Sequence, residues 1–511
     1  MRTPSSISLA ALLLPALTGA ADPAKAGPKP CPKPYVSSNK LQSLIKLDDL
    51  LDGANKLQSF ADANKGTRVF GSGGHNQTVD WLVDSLTKLG TYDVVKQPFT
   101  EIYSEGTVTA SVAGAEITSQ LMTYSPAGTA EDKPLVPVAN LGCSVEDFPA
   151  EVAGNIALIS RGECTFATKS INAKTAGAAV ALVYNNAEGV VAGTLGAAFG
   201  AYAPVAGISQ ADGQAILAKI TAGEEVTGTV IIDATVEERV TYNVIAETKD
   251  GDHDNVLVLG GHSDSVAAGP GINDDGSGII GVLNVAKALS KFKVKNAVRF
   301  GFWSAEEFGL LGSEFYVKSI NTSETELAKI RAYLNFDMIA SPNYVYGIYD
   351  GDGNAFNLTG PAGSDVIEKD FEDFYASKGV NSVPTAFSGR SDYAAFIENG
   401  IPSGGIFTGA EALKTEEEAA LFGGEAGVAY DVNYHQAGDT VDNLNLEAFL
   451  INTKAIAHSV AKYALSWDSL PAVDLVKRRV TGDKIQWAKR STHGHAHDHS
   501  GPCGAKHLAV V

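Results

Sequence analysis

From residue 241 onward the chain alternates two hydrophobic periods, with strand-like runs at 243–247, 255–260, 297–303 and 331–336 and helical patterns over 278–291 and 310–319. Strands separated by helices pair mostly in parallel, because each helix carries the chain back across one face of the sheet, and both faces become covered. The expected fold is therefore α/β, with a mixed, mostly parallel sheet flanked by helices. In open sheets of this kind, ligands bind where the strands end at their carboxyl edge.

The charged residues concentrate at that edge. The run 255–260 leads into Gly261-His262-Ser263-Asp264-Ser265, and the next turn is Asn273-Asp274-Asp275-Gly276. The run 297–303 leads into Ser304-Ala305-Glu306-Glu307, and 331–336 ends on Asp337-Met338. Any one of these acids could be a helix cap, Asp274 in particular. As a set they would repel one another without a cation. Imidazole and carboxylate suit a divalent metal such as zinc, and two ions about 3.5 to 4 Å apart can share one ligand.

Other chemistries have less support. Gly276-Ser277-Gly278-Ile279-Ile280-Gly281 fits the glycine pattern of dinucleotide-binding loops, but Asp274 and Asp275 directly before it would repel a pyrophosphate. There is no H-E-x-x-H, no G-x-S-x-G and no Walker loop. A net charge of -20, from 39 basic and 59 acidic residues, argues against nucleic acid and anionic membranes as partners.

Residues 1–20 read as a signal peptide: Arg2, an apolar run over 7–17, then Thr18, Gly19 and Ala20. No other run reaches the roughly 20 apolar residues of a membrane span. The expected destination is extracellular, with a vacuolar lumen as the alternative. Residues 21–36, with five prolines, form a leader. Residues 37–123 and 234–470 form the main domain, and 124–233, with short β-rich runs between Gly, Ala and Pro, are inserted into it. The stretch 41–89 is helical and ends at Gly90, before a short strand-like run containing Tyr92, Val94 and Val95. The tail 471–511 turns basic and then histidine-rich, and reads as an exposed terminus. Asn76, Asn321 and Asn357 each begin a glycosylation sequon. Of four cysteines, Cys143 and Cys164 share one local segment and are expected to pair, while Cys31 and Cys503 lie in the two tails.

These motifs, together with Gly271-Ile272-Asn273-Asp274-Asp275-Gly276-Ser277-Gly278, Phe302-Trp303-Ser304-Ala305-Glu306-Glu307-Phe308-Gly309, Asn335-Phe336-Asp337 and Asn433-Tyr434-His435, resemble metallopeptidase family 28, of the aminopeptidase Y and secreted fungal leucine aminopeptidase type. The resemblance implies two zinc ions. His262 and Asp337 would hold one, Glu307 and His435 the other, with Asp274 bridging. It further implies that Asp264 orients His262, that Glu306 is the general base and that Tyr434 polarises the scissile carbonyl. Arg390 would help hold substrate, and Met338 and Phe407 would line the pocket for its first side chain. The insertion resembles a protease-associated domain through Arg161-Gly162-Glu163-Cys164-Thr165-Phe166. Some relatives carry cysteines flanking the last histidine, where this chain has Asn433 and Gly438.

The implied activity is hydrolysis of N-terminal residues, leucine and other apolar ones foremost, from peptides with a free N-terminus, by a monomer. A carboxypeptidase, dipeptidase or acyl-amino-acid hydrolase would need a basic clamp for a carboxylate, and Arg390 is the one obvious candidate. A non-catalytic binding protein would be expected to have lost ligands, and here every position is filled.

Overall fold

In this computed structural model, residues 33–321 and 324–473 are described. The expected signal peptide, most of the leader, Cys31, Cys503 and the histidines of the tail lie outside them.

Strand Asp252–His262 is the spine of the main sheet, and its Val256, Leu257, Val258 and Leu259 are all fully buried. Successive side chains on a strand point to opposite faces. Leu257 and Leu259 therefore join one core and Val256 and Val258 the other. An unbroken apolar run is what a strand covered on both faces requires. Asn296–Trp303 and Ile330–Phe336 flank it in parallel, and Ser403–Phe407 extends the sheet in parallel beyond the latter. Gly347–Tyr349 pairs antiparallel with Ser403–Phe407, and Val383–Thr385 completes that edge. Helices Leu47–Asp62, Gly276–Leu289 and Leu446–Tyr463 supply Leu50, Ile279 and Ile456 to the first core. Helices Leu311–Ile320 and Tyr393–Ile397 cover the opposite face through Tyr316, Val317 and Phe396. The mixed, mostly parallel sheet expected from the sequence is the one observed.

The helical stretch expected over 41–89 resolves into Ser38–Ser43, Leu47–Asp62 and Gly73–Thr87. The strand after it is longer than expected: Tyr92–Val112 runs for 21 residues, paired antiparallel with Thr227–Thr248 from Tyr92↔Thr248 to Val112↔Gly228. Lys96, Pro98, Glu101, Glu105 and Gly106 break the apolar alternation along it. Backbone pairing, rather than a buried face, holds much of this strand, so its length leaves no hydrophobic pattern in the sequence. The expected boundary between 233 and 234 falls inside the second strand.

Thr227–Thr248 joins the main sheet at Arg299↔Glu247 through Phe302↔Val244. Because the pairing is antiparallel, the hairpin leaves the sheet past the carboxyl end of Asn296–Trp303. There it carries a second sheet of Gly128–Pro137, Ile156–Ser160, Val180–Tyr184 and Val205–Ile208, all parallel to one another. Two helices, Phe166–Thr175 and Gln210–Thr221, belong to this smaller body. Cys143 and Cys164 form the expected disulfide there, with Cα atoms 5.7 Å apart. No helix among the described residues is long and apolar enough to cross a membrane.

Candidate metal centre

The strand ends deliver their side chains to one buried point. His262 closes Asp252–His262, and its Nε2 lies 3.1 Å from Asp274 Oδ1 and 3.5 Å from Asp337 Oδ1. His435 reaches the same carboxylate from the opposite side, its Nε2 being 3.2 Å from Asp274 Oδ2 and 3.0 Å from Glu307 Oε2. Asp274 thus presents one oxygen to each histidine. Ligands around a tetrahedral zinc with bonds of about 2.0 to 2.1 Å stand about 3.3 Å apart, and the measured separations bracket that value.

Two further observations fit a cation. Asp337 Oδ1, Glu306 Oε1 and Glu307 Oε1 are buried without a hydrogen-bond partner, which is costly unless a positive charge satisfies them. Burial also pushes the Glu306, Glu307 and Asp275 carboxyls above the usual carboxylate range, and neighbouring acids add to it. Burial alone would lower His435, but Glu307 and then Asp274 push it up to about 10.

The backbone at the centre is set unusually. Ala305, Met338 and His435 all have left-handed φ, at 58°, 52° and 56°. Non-glycine residues pay for that conformation, and it persists where the surroundings over-determine it. Asp275 caps helix Gly276–Leu289 by accepting from Gly278 N, and it also accepts from His262 N and Met338 N. A Cβ on Gly278 would meet Phe336 O at 2.0 Å and Asp275 Oδ1 at 2.3 Å. The glycine pattern that mimics a dinucleotide loop therefore makes room for a carboxylate, not a phosphate.

The remaining site residues cluster nearby. Asp264 Oδ1 is 3.7 Å from His262 Nδ1 and accepts from Glu306 N. The Tyr434 ring stacks on His435 at 3.8 Å, and its hydroxyl accepts from Arg390 Nη2 at 3.2 Å. Arg390 also donates to Glu411 at 2.7 Å and is half exposed. Met338 is buried, and Thr408, just after Phe407, donates its N–H to Met338 O, so the two expected pocket residues sit at neighbouring strand ends.

Several supporting residues lie outside the sequence motifs. Arg68 is fully buried and donates to Ser263 O, Pro270 O and Gly271 O, holding the loop between His262 and Asp274. His75 bonds Ser263 Oγ at 2.9 Å, and burial lowers it to about 4, which keeps it neutral. Ser391 donates to Asp337 Oδ2. Asp439 accepts from the N–H groups of Asn273 and Asp274. Arg68 and His75 come from a turn and a helix far from this loop in sequence, with no local motif around them. Asp439 lies four residues past His435, where proximity alone could have flagged it.

The His435 loop has its own pins. A Cβ on Gly438 would meet Asn433 Oδ1 at 2.1 Å, so the two positions where some relatives carry cysteines face each other here. Asn433 donates to Asn443, which donates to both Asp431 and Asp439.

Comparison with known proteins shows what the chain is similar to. Residues 243–460 match peptidase family M28, and residues 131–216 match the PA domain. The chain is 59% identical over 467 residues to "Probable leucine aminopeptidase 2" of Aspergillus fumigatus, covering 91% of this chain and 92% of that one. It is 52% identical over 440 residues to leucine aminopeptidase 2 of Trichophyton rubrum, covering 86% and 88%. Among solved structures, an aminopeptidase from Aneurinibacillus sp. strain AM-1 superposes with a TM-score of 0.59 at 29% identity, covering 86% of this chain and 97% of that one. A zinc aminopeptidase from Bacillus subtilis superposes at 0.54 with 26% identity, with the same coverage.

Proposed function

Because this chain belongs to peptidase family M28, we propose that it is a secreted two-zinc aminopeptidase acting on peptides with a free N-terminus, with leucine and other apolar residues preferred. The observation that carries this reading is Asp274, with one carboxylate oxygen toward His262 and the other toward His435. His262 and Asp337 would hold one zinc, Glu307 and His435 the second, with Asp274 common to both. Zinc so held would supply Lewis acidity, polarising a peptide carbonyl and making water acidic enough to ionise near neutral pH.

The chain's own groups do the rest. Glu306 takes the proton of the attacking water on its carboxylate and returns it to the leaving amine. Tyr434 donates its hydroxyl hydrogen to the developing oxyanion, and Arg390 holds that hydroxyl in place. Asp264, 3.7 Å from His262 Nδ1, would orient that ring through its charge. One chain carries the complete donor set, which suits a monomer. The secretory route rests on the expected signal peptide and on sequons, of which Asn321 and Asn357 are exposed while Asn76 is partly buried in a helix.

The test is turnover of leucyl-anilide against N-acetyl-leucyl-anilide and aspartyl-anilide, before and after chelation and with zinc restored. Leucyl-anilide is expected to be cleaved, its acetylated form not. Aspartyl-anilide should be slower, since its carboxylate would be buried against Met338 and Phe407 without a partner. Cleavage of the acetylated substrate, or full activity after chelation, would sink the reading.

A further inference from the structure

The turn Ser304–Phe308, which carries Glu306 and Glu307, is gripped from outside the main sheet. Ala305 is fully buried in a small cluster with Val69, Phe70 and Tyr103, against which Phe308 and Leu311 pack. Phe308 meets Phe70 at 4.8 Å between ring centroids and Tyr103 at 5.7 Å. Phe70 meets Tyr103 edge-on at 5.8 Å. The guanidinium carbon of Arg239 sits 3.4 Å over the Tyr103 ring, and Arg239 also donates to Phe70 O and Glu237. Tyr103 and Arg239 lie on the two strands of the long hairpin, just beyond the point where it leaves the main sheet. The stretch of that hairpin just past the main sheet therefore packs on Phe308 and shares a cluster with Ala305, at the two ends of the glutamate turn.

We propose that Tyr103, held by Arg239, is a positioning residue for hydrolysis: through Phe70 and Phe308 it sets the turn that aims Glu306 and Glu307. The inserted body's hairpin then forms part of the catalytic apparatus as well as a connection. This rests on the roles given above to Glu306 and Glu307. The left-handed Ala305 makes such support necessary, because a turn under backbone strain relaxes when its packing is removed. Misplacing a reacting group by about 1 Å can cost up to about 100-fold in rate, and loosening a ligand's supporting contacts weakens a metal by about 10-fold or more.

The experiment compares full-length Tyr103→Leu, Tyr103→Ala and Tyr103→Phe with the parent, each checked for folding by circular dichroism and saturated with zinc. The readouts are kcat, KM and zinc affinity by chelator competition. The Leu and Ala variants should lose about 10- to 100-fold in kcat with KM within about 3-fold, and should bind zinc about 10-fold more weakly. Tyr103→Phe, which keeps the ring, should restore both. A fall in either kcat or zinc affinity that Phe rescues supports the proposal. It is overturned if Tyr103→Leu folds and stays within about 2-fold in both, if only KM moves, or if Phe is as damaging as Leu. A Glu306→Gln background separates this from the reading beneath it. There Tyr103→Leu should cost little further kcat, since the group it aims is gone. A fully active Glu306→Gln would fault the assignment of the base, whereas an inactive Glu306→Gln beside an unaffected Tyr103→Leu would fault only the role of Tyr103.

Discussion

Glu306→Gln is expected to keep its full metal content and fold while losing about 10² to 10⁴ in kcat, the usual contribution of an acid-base group. Glu307→Gln, one residue on, is expected to lose metal first and activity as a consequence. The pair diverges because Ala305 turns the chain through a left-handed conformation just before it. Glu307 then reaches within 3.0 Å of His435, whereas the nearest approach of Glu306 to a ligand ring is 3.9 Å, to His262. If Glu306 is the base proposed above, the proton it carries matters in the transition state, and its loss should fall on kcat and spare KM. Metal analysis beside steady-state kinetics on both variants decides it. If Glu306→Gln shed metal while Glu307→Gln kept it, the two roles would be exchanged.

Arg68→Met should destabilise the protein by about 3 to 5 kcal/mol, the range for removing one partner from a buried, charge-assisted network. The guanidinium donates to three backbone carbonyls, at 2.8 Å to Pro270, 2.6 Å to Ser263 and 2.5 Å to Gly271. Methionine fills part of the space but leaves those oxygens buried without donors. Burial lowers the guanidinium's pKa, while Asp264, Asp439, Asp275 and Asp274 act in the opposite sense, so the substitution also strips positive charge from an acidic centre. Arg68→Lys should recover only part of the loss, because a single ammonium cannot match the planar fork. Urea unfolding of the three proteins measures this. An Arg68→Met midpoint corresponding to less than about 1 kcal/mol of destabilisation would show that water or relaxation replaces the lost donors.

The parts of this molecule that are legible in its sequence are those whose physics is local. Val256 to Leu259 form an unbroken apolar run because both faces of their strand are covered, and the candidate ligands are visible because strand ends place chemistry into short contiguous motifs. The Asp274 turn, Glu306-Glu307 and Asp337 can all be read on that ground. What stays hidden is held by distant parts of the chain. The hairpin strand 92–112 lacks alternation because backbone pairing holds much of it. Arg68 and His75 approach the centre from a separate turn and helix, and nothing in their neighbours announces it. Asn433 and Gly438 read as a departure from relatives with cysteines, and only their facing geometry shows how the loop is secured.

That loop bears on how the protein tolerates its chemical surroundings. The described covalent cross-link, Cys143–Cys164, lies in the inserted body, while the segment bearing His435 is fastened by Asn433, Asn443, Asp431 and Asp439. Thiols and glutathione act on sulfur–sulfur bonds and leave amide–carboxylate contacts untouched. The order of the His435 segment is thus independent of redox poise, and its exposure is to rising pH instead. Burial and then Asp431 raise Asp439 to about 8, and burial raises Asp431 too, so the fold favours their protonated forms and it is rising pH that charges these two neighbours against each other. Where a cystine would make such a loop sensitive to reductants, this chain has exchanged that sensitivity for one to rising pH.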